Sequence, residues 1–437
     1  KGRKIIKNMI DSILDELFSL RTGKRRENID DLKLIYALLG KPCNSVKVIH
    51  IAGTNGKGST ASFLENILLE AGYNVGKFTS PHILRYNERI LYNRQMIDDE
   101  EIVENYFFLK QIIENYKREN ENFKDIYLNF FEITTFIALM FFAKKNPDFL
   151  VIETGLGGRL DATNIINSDI ALITNITFDH TAILGNSLKE IAYEKAGIIK
   201  NRELCIYADS LPELEEEINK KTENSINIIK KYNDMEIKLD KINYRTVIKF
   251  QNNKFTLPLF GKFQANNFLL AYETAKFYNI NNETIQNGVN KVYWPARFEF
   301  FSVEPPVILD AAHNDDSIRK LIENLTEIYK RNEVIIITSL LETKDFEKVF
   351  TKLEKITDKI FITSLKDTVH GLSSAEIREK MISLNIPVDG IIFEDNILTA
   401  YKSAMNIIKE KNSRYKAIVI CGSFFEIAKF NRMVADK

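Results

Sequence analysis

With 437 residues, 45% of them hydrophobic and 27% charged, the chain is long enough for two domains with separate cores and has the composition of an ordinary globular protein. Its 60 basic and 60 acidic residues cancel, which argues against nucleic acid or an anionic membrane as the main partner. No apolar run reaches the roughly 18–20 residues of a bilayer span, and three scattered cysteines, Cys43, Cys205 and Cys421, form neither a CxxC pair nor a zinc spacing, which points to the cytoplasm.

The basic start KGRKIIKNMI runs directly into Asp11, Asp15 and Glu16, unlike a secretory signal. Two short amphipathic helices are expected over residues 8–39, flanking the polar stretch Arg21 to Asn28. An apolar strand, Val46 to Ala52, then turns through Gly53-Thr54-Asn55-Gly56-Lys57-Gly58 into a helix from Ser59 to Glu70, with a glycine stop at Ala71-Gly72. A second strand is expected over Asn74 to Thr79 and a loop over Ser80 to Arg94. A helix over Asp98 to Lys117 has Asp98 as N-cap, and Phe130 to Lys145 reads as a helix apolar nearly all round, hence buried. Asp148 to Glu153 and Asp169 to Ile176 are short apolar strands, and Ser187 to Ala196 is a helix.

Buried strands alternating with helices predict a doubly wound, mainly parallel sheet. Between Met235 and Phe263 the period shifts to two, with a turn at Asn252-Asn253, and this stretch is expected as an antiparallel edge of the first domain. Helices from Gln264 to Tyr278 and on to Val289 close that domain. After Trp294-Pro295 the pattern restarts with strands at Val307 to Asp310, Val334 to Thr338, Ile360 to Thr363 and Ala417 to Cys421. The fold class is thus α/β: an N-terminal P-loop domain over 1–297 and a smaller, Rossmann-like C-terminal domain over 298–437.

Strand, glycine-rich turn and helix is a recipe for binding polyphosphate. The glycines let backbone N–H groups approach the anion, the helix N-terminus adds partial positive charge, Lys57 adds a mobile cation, and Ser59 or Thr60 a hydroxyl for Mg²⁺. In open α/β sheets ligands bind beyond the carboxyl ends of the strands. Glu153, Ser80 and the pair Asp179-His180 all follow strands, so Ser59, Ser80, Glu153 and His180 make an oxygen-rich candidate Mg²⁺ site with one imidazole. In the second domain Asp310-Ala-Ala-His313-Asn314 again follows an apolar strand, and folding over the first domain would bring Asp310 and His313 to a nucleotide. By itself, Lys195 reads as a solvated helix-end lysine.

Ordered motifs run through most of the chain: HIAGTNGKGST at 50–60, TSPHILRYNERI at 79–90, FFE at 130–132, ETGLGGRLDATN at 153–164 and FDHTAILG at 178–185, then EIAYEKAGIIK at 190–200, FGKFQANN at 260–267, ARFE at 296–299 and LDAAHN at 309–314. In these the chain resembles the folylpolyglutamate synthase/dihydrofolate synthase branch of the Mur ligase superfamily. The resemblance implies that Gly53, Thr54, Asn55, Gly56, Lys57, Gly58 and Ser59 bind ATP phosphates, and that Asn266, Arg297, Asp310 and His313 are further nucleotide contacts. It implies Mg²⁺, as two ions, on Ser59, Ser80, Glu153, His180 and Lys195, the lysine carried as an N6-carboxylated carbamate. Lys57, Lys195 and His313 are the implied catalytic residues, and His82, Arg85 and Phe131 the implied folate contacts.

The implied reaction joins L-glutamate to a folate or dihydropteroate carboxylate through an acyl phosphate, with ATP as substrate, in a cytoplasmic monomer without nucleic-acid or membrane partners. The alternative is a ligase of the same superfamily acting on a peptidoglycan precursor or another amino-acid polymer. Two departures stand out: Ala311 where the family has glycine, and the segment RTGKRRENIDDL at 21–32, which lacks the family's glycine- and leucine-rich pattern.

Overall fold

The computed structural model describes residues 2–20, 26–121, 126–200 and 203–435. Residues 21–25 of the departing segment lie outside the described residues. By its contacts the chain divides into two compact units. One runs to Asp234 and resumes over Asn266–Lys291; the other comprises Met235–Ala265 and the chain from Val292 on.

Among the described residues, the first unit is built on eight strands: β1 (Lys47–Ala52), β2 (Val75–Phe78), β3 (Ile90–Tyr92), β4 (Gln95–Met96), β5 (Phe149–Glu153), β6 (Ile170–Ile173), β7 (Leu204–Tyr207) and β8 (Ser225–Asn227). Their order is β4-β3-β2-β5-β1-β6-β7-β8. All neighbours pair in parallel except β2 with β3 and β3 with β4, so the antiparallel edge of this sheet is made by residues 90–96. This corrects two expectations. The stretch expected as a loop after Ser80 contains a 3-10 turn, Tyr86–Arg89, and β3. The residues expected at the sheet's edge, 235–263, form a separate three-stranded sheet instead.

The local reasons for these elements are visible. The helix Asp99–Glu119 starts from Asp98, whose carboxylate and Glu101 form a reciprocal capping box. The helix Phe130–Lys145 starts from Asn129, which accepts from the backbone of Phe131 and Glu132, and it is buried over most of its circumference, as its composition requires. Within the core, Lys77 of β2 is ion-paired to Glu65 on the helix Lys57–Glu70, both side chains being almost fully buried.

In the second unit, β9 (Glu236–Asp240), β10 (Arg245–Phe250) and β11 (Asn253–Leu257) form an antiparallel meander, turning through Gln251 and Asn252 with φ of +46° and +63°. Leu239 and Tyr244 pack on the same apolar cluster as Phe260, Phe298, Ile308 and Val334, which is why these strands go with the second unit. Its main sheet contains β12 (Glu299–Val303), β13 (Pro306–Leu309), β14 (Val334–Thr338), β15 (Ile360–Ile362), β16 (Ile391–Phe393) and β17 (Ala417–Cys421). The order is β12-β13-β17-β14-β15-β16, parallel except for the β12–β13 hairpin.

Removing one partner of a buried ion pair strands the other charge, at a cost of about 3–5 kcal/mol. Glu65→Ala is therefore expected to lower the denaturant midpoint of the first unit's unfolding sharply. The double variant Glu65→Leu/Lys77→Met is expected to recover most of that loss, because it strands no charge.

Candidate active site

Four parallel strands in a row, β2, β5, β1 and β6, end on one edge of the large sheet, so their outgoing loops make one rim. β1 delivers the glycine-rich turn. Gly53 has φ +148° and Gly56 φ +90°; a Cβ on them would stand 1.8 Å from Thr174 Oγ1 and 2.3 Å from Asn267 Oδ1 respectively. The turn is held by the chain leaving β6. Thr54 N donates to Asn175 O (2.9 Å) and Asn55 N to Asn175 Oδ1 (2.9 Å), while Thr174 Oγ1 donates to Asn55 O (2.6 Å) and Thr177 N to Thr54 Oγ1 (3.1 Å).

Lys57, at the start of the helix Lys57–Glu70, folds back over this turn. Its Nζ donates to Gly53 O (3.1 Å) and Thr54 O (3.2 Å) and lies 3.9 Å from Glu153 Oε1. Glu153 ends β5 and is only 4% exposed; its Oε2 accepts from Ser80 N at 3.1 Å, so the exits of β2 and β5 meet at this carboxylate. Ser59 and Thr60 are buried in the first helical turn, where Thr60 Oγ1 has no hydrogen-bond partner among the described residues.

Lys195 is the correction to the plain reading of the sequence. It is 3% exposed rather than solvated, and among the described residues its ammonium makes no hydrogen bond or ion pair. Burial, and next the charge of Lys57, push its pKa down to about 7 against the pull of Asp179 and Asp161. The loop after β5 docks its helix, Leu188–Ala196. Arg159 N donates to Glu194 O (2.7 Å) and its guanidinium to Glu194 Oε1 (2.8 Å), and Asn164 Nδ2 donates to Arg159 O (3.0 Å) and Gly197 O (3.1 Å). Gly158 permits this approach: a Cβ there would stand 2.7 Å from Glu194 O.

His180, after β6, is half-exposed with φ +50°, its Nε2 3.8 Å from Asp179 Oδ1. Among the described residues no three His, Cys, Asp or Glu side chains gather as a metal cluster. The expected donors are instead one carboxylate, hydroxyls and one imidazole. Glu153, Ser59 and Ser80 are hard oxygen donors beside a phosphate-type turn, which suits Mg²⁺.

Beyond β2, His82 Nδ1 accepts from Arg89 Nε at 2.8 Å, and the Arg89 guanidinium lies 5.0 Å from the centre of the Phe130 ring. Phe131 packs on Phe78 and against Gly155, while Arg85 is exposed, 4.0 Å from Asp99. Arg26, from the departing N-terminal segment, donates to Glu132 and to Tyr127 O.

Within the second unit, Asp310 leaves β13 buried, accepting from Phe298 N (2.9 Å) and Ala312 N (2.8 Å); burial raises its pKa against the opposing charge of Arg297. His313 Nδ1 lies 2.7 Å from Ala311 O, which can only accept, so Nδ1 carries a proton. Arg297 lies 4.8 Å from the centre of the Phe424 ring. Ala311 is not in the left-handed region, so the family's glycine is not needed there for its φ.

Sequence reasoning missed the residues that hold these parts. Thr174 and Asn175 fall inside the strand expected over Asp169 to Ile176, which ends at Ile173, and Asn267, the neighbour of the expected Asn266, is the one seated against Gly56. Asp161 and the Arg159–Glu194 pair lay inside motifs, but with nothing to distinguish support from contact.

Residues 51–275 match the family model of the Mur ligase middle domain and 296–424 that of the Mur ligase glutamate ligase domain. The dihydrofolate synthase/folylpolyglutamate synthase of Bacillus subtilis is 35% identical over 353 residues, 76% of this chain and 80% of that protein. Folylpolyglutamate synthase of Mycobacterium tuberculosis, complexed with ADP and AMPPCP, superposes with a TM-score of 0.86 at 25% identity over 98% of each chain. A bifunctional folylpolyglutamate synthase/dihydrofolate synthase with Mn, AMPPNP and L-glutamate bound gives 0.80 at 27% identity, again over 98% of each.

Two outcomes are expected from this geometry. Gly56→Ala forces a side chain into left-handed backbone, at roughly 1–2 kcal/mol, and into Asn267; its measured ATP affinity should fall by about 5- to 30-fold, in line with that cost. The second concerns pH. Lysine in the unfolded chain titrates near 10.5, so between about 7 and 10.5 the unfolded state holds a proton that folded Lys195 has lost, and stability rises with pH across that window. In CO₂-free buffer, Lys195→Met should be more stable than wild type below pH 7, with the margin shrinking as pH rises through the window, as thermal unfolding will show.

Proposed function

The chain belongs to the Mur ligases, in the dihydrofolate synthase/folylpolyglutamate synthase family, and from that premise we propose that it is an ATP-dependent ligase adding L-glutamate to a folate or dihydropteroate carboxylate. The observation that carries the reading is the meeting of Lys57, Glu153 and the Ser80 backbone at one strand edge, on a glycine turn built for phosphate.

In the proposed reaction the substrate carboxylate attacks the γ-phosphorus of ATP. A carboxyl O–P bond forms, the β,γ-bridging P–O bond breaks, and ADP leaves. The α-amine of L-glutamate then attacks the carbonyl carbon of the acyl phosphate, and collapse of the tetrahedral intermediate expels phosphate and yields the amide. Positioning and charge neutralisation supply most of the catalysis. The N–H groups of residues 53–58 would cradle the phosphates. Lys57 would leave the carbonyls of Gly53 and Thr54 for a phosphate oxygen, a better partner for an ammonium.

A divalent ion, as in the Mn-bound relative, would neutralise charge on the transferring phosphoryl group. Ser59, Ser80, Glu153 and His180 are proposed to hold Mg²⁺, and Lys195, carboxylated on Nζ, to hold a second ion. The depressed pKa of Lys195 supports that modification, since only the neutral amine adds CO₂, and at pH 7–8 a large fraction of it is neutral. Asn266, Arg297, Asp310 and His313 are proposed nucleotide contacts, His313 with a catalytic role, and His82, Arg85 and Phe131 are proposed folate contacts. A functional boundary at 297/298, a monomeric state and a cytoplasmic location complete the proposal; no described helix is long and apolar enough to cross a membrane.

The deciding measurement is ADP release with dihydropteroate plus L-glutamate, and separately with tetrahydrofolate plus L-glutamate. Glutamate-dependent release with at least one is expected; none with either removes the folate reading in favour of another acceptor. Lys195→Ala is expected to cut turnover by two or more orders of magnitude with a much smaller change in ATP affinity, and a short carboxylic acid to restore part of it. A carbamate resonance in wild-type protein supplied with ¹³C-bicarbonate, absent from Lys195→Ala, would establish the modification directly.

A further inference from the structure

His50 has no part in the reaction as proposed, yet it is the one fully buried histidine of the chain's five. It sits on β1, three residues before Gly53, between Ile152 of β5 and Ala171 of β6 in the sheet register. Its Nε2 lies 2.8 Å from Thr163 Oγ1, and Thr163 Oγ1 lies 2.6 Å from Asp161 Oδ1. Asp161 also accepts from Thr163 N (3.0 Å) and, through Oδ2, from Leu156 N (2.9 Å), three residues beyond Glu153.

These contacts have one proton order. A hydroxyl carries a single hydrogen; burial raises the pKa of Asp161, but the hydrogen bonds it receives from Thr163 and from the backbone of Leu156, Thr163 and Gly155 favour the carboxylate, an acceptor, so the Thr163 hydrogen points to Asp161. Thr163 Oγ1 then receives from His50, whose proton must be on Nε2. Nδ1 is consequently bare, and it is buried with no hydrogen-bond partner among the described residues. Burial, and next the charge of Lys200, push the imidazolium pKa down to about 3, so the ring is neutral throughout the physiological range. An orphaned ring nitrogen between Ile49 and Ile51 in the buried part of the strand carries a desolvation cost that leucine or phenylalanine would avoid. Stability alone gives no reason for a histidine here.

We infer that His50 is a positioning residue: through Thr163 and Asp161 it locks the loop 154–164 to the strand that feeds the phosphate turn. That loop leaves Glu153 at one end and, through Arg159 and Asn164, holds the helix of Lys195 at the other. His50 thus keeps in one register the turn that would bind phosphate and the loop that sets Glu153 and Lys195. The inference rests on the ligase reading for its kinetic arm only.

Two arms of the test need no substrate. In ¹⁵N-histidine-labelled protein, one ring is expected as the Nε2–H tautomer, with a bare Nδ1 and no titration between about pH 5 and 9, and its signals should vanish in His50→Phe. An Nδ1–H tautomer, or titration in that range, overturns the proposal. Hydrogen exchange at Leu156 and Thr163 should quicken in His50→Phe and in Thr163→Val; unchanged exchange in both also overturns it.

In the kinetic arm, His50→Phe is expected to keep the thermal midpoint of wild type or exceed it. Its kcat should fall about tenfold or more with KM for ATP within about threefold. His50→Gln, which restores a donor, should recover most of the loss. A His50→Phe enzyme with wild-type kcat, or a Gln variant no better than Phe, refutes the positioning role. Should His50→Phe not fold, Thr163→Val against Thr163→Ser makes the same comparison, with the serine hydroxyl expected to rescue and its failure to do so refuting the role. If no ligase activity is found at all, the tautomer and exchange arms still decide.

Discussion

The parallel pairing of β2, β5, β1 and β6 is the constraint on which the rest of the first unit depends. Because these strands run the same way, Ser80, Glu153, the glycine turn and the Thr174–Asp179 exit must emerge on one side. Loops alone could not hold such an arrangement, since each would cost conformational entropy to fix. The sheet fixes their starting points, and hydrogen bonds between loops do the rest: β6's exit holds the glycine-rich turn, and Glu153 receives the backbone of Ser80. The glycine-rich turn is therefore not a self-contained motif. Its two positive-φ glycines are packed against side chains from elsewhere, Thr174 and Asn267, and its shape belongs to the whole rim.

The electrostatics of this rim are unfavourable as they stand. Lys57 and Lys195 oppose one another, Lys195 is buried without a hydrogen bond among the described residues, and the nearest anions, Asp179 and Asp161, only partly compensate. A protein selected for stability alone would place an apolar side chain at 195. The arrangement makes sense for a site that receives several negative charges at once, as polyphosphate brings, and that needs an amine free of its proton. Burial then has two effects with one cause: it removes water from the ammonium, and it lowers the pKa of the amine to about 7.

What the sequence could show, and what it could not, follows from the range of each interaction. Local rules placed the turn at Gly53–Gly58, the N-cap Asp98 and the helix Phe130–Lys145, because capping and periodicity act within a few residues. They also identified the antiparallel character of 235–263 from its period of two. They could not say which core that sheet joins, since Leu239 and Tyr244 find their partners beyond residue 260. Short strands such as β3, β8, β12 and β16 exist chiefly because a neighbour offers an edge, which composition does not record. The burial of Lys195 was equally hidden: it depends on a loop 35 residues earlier, Arg159 reaching Glu194.

The second unit shows where strain can be read together with its anchors. Ala296 and Phe298 both occupy left-handed backbone, with φ +57° and +50°, without being glycine, at a cost of roughly 1–2 kcal/mol each. Such strain persists only where surrounding bonds over-determine it. Here Ala311 N donates to Ala296 O (2.9 Å), Phe298 N donates to Asp310 Oδ2 (2.9 Å), and Ala296 N donates to Glu299 Oε2 (2.8 Å). The residue between the two is Arg297, with its guanidinium laid over Phe424. The chain thus spends backbone energy on both sides of a single arginine and secures it with a buried carboxylate. Asp310 consequently has a structural task whatever it touches in a complex: without it the donor at Phe298 would be stranded and the conformation presenting Arg297 would lose an anchor.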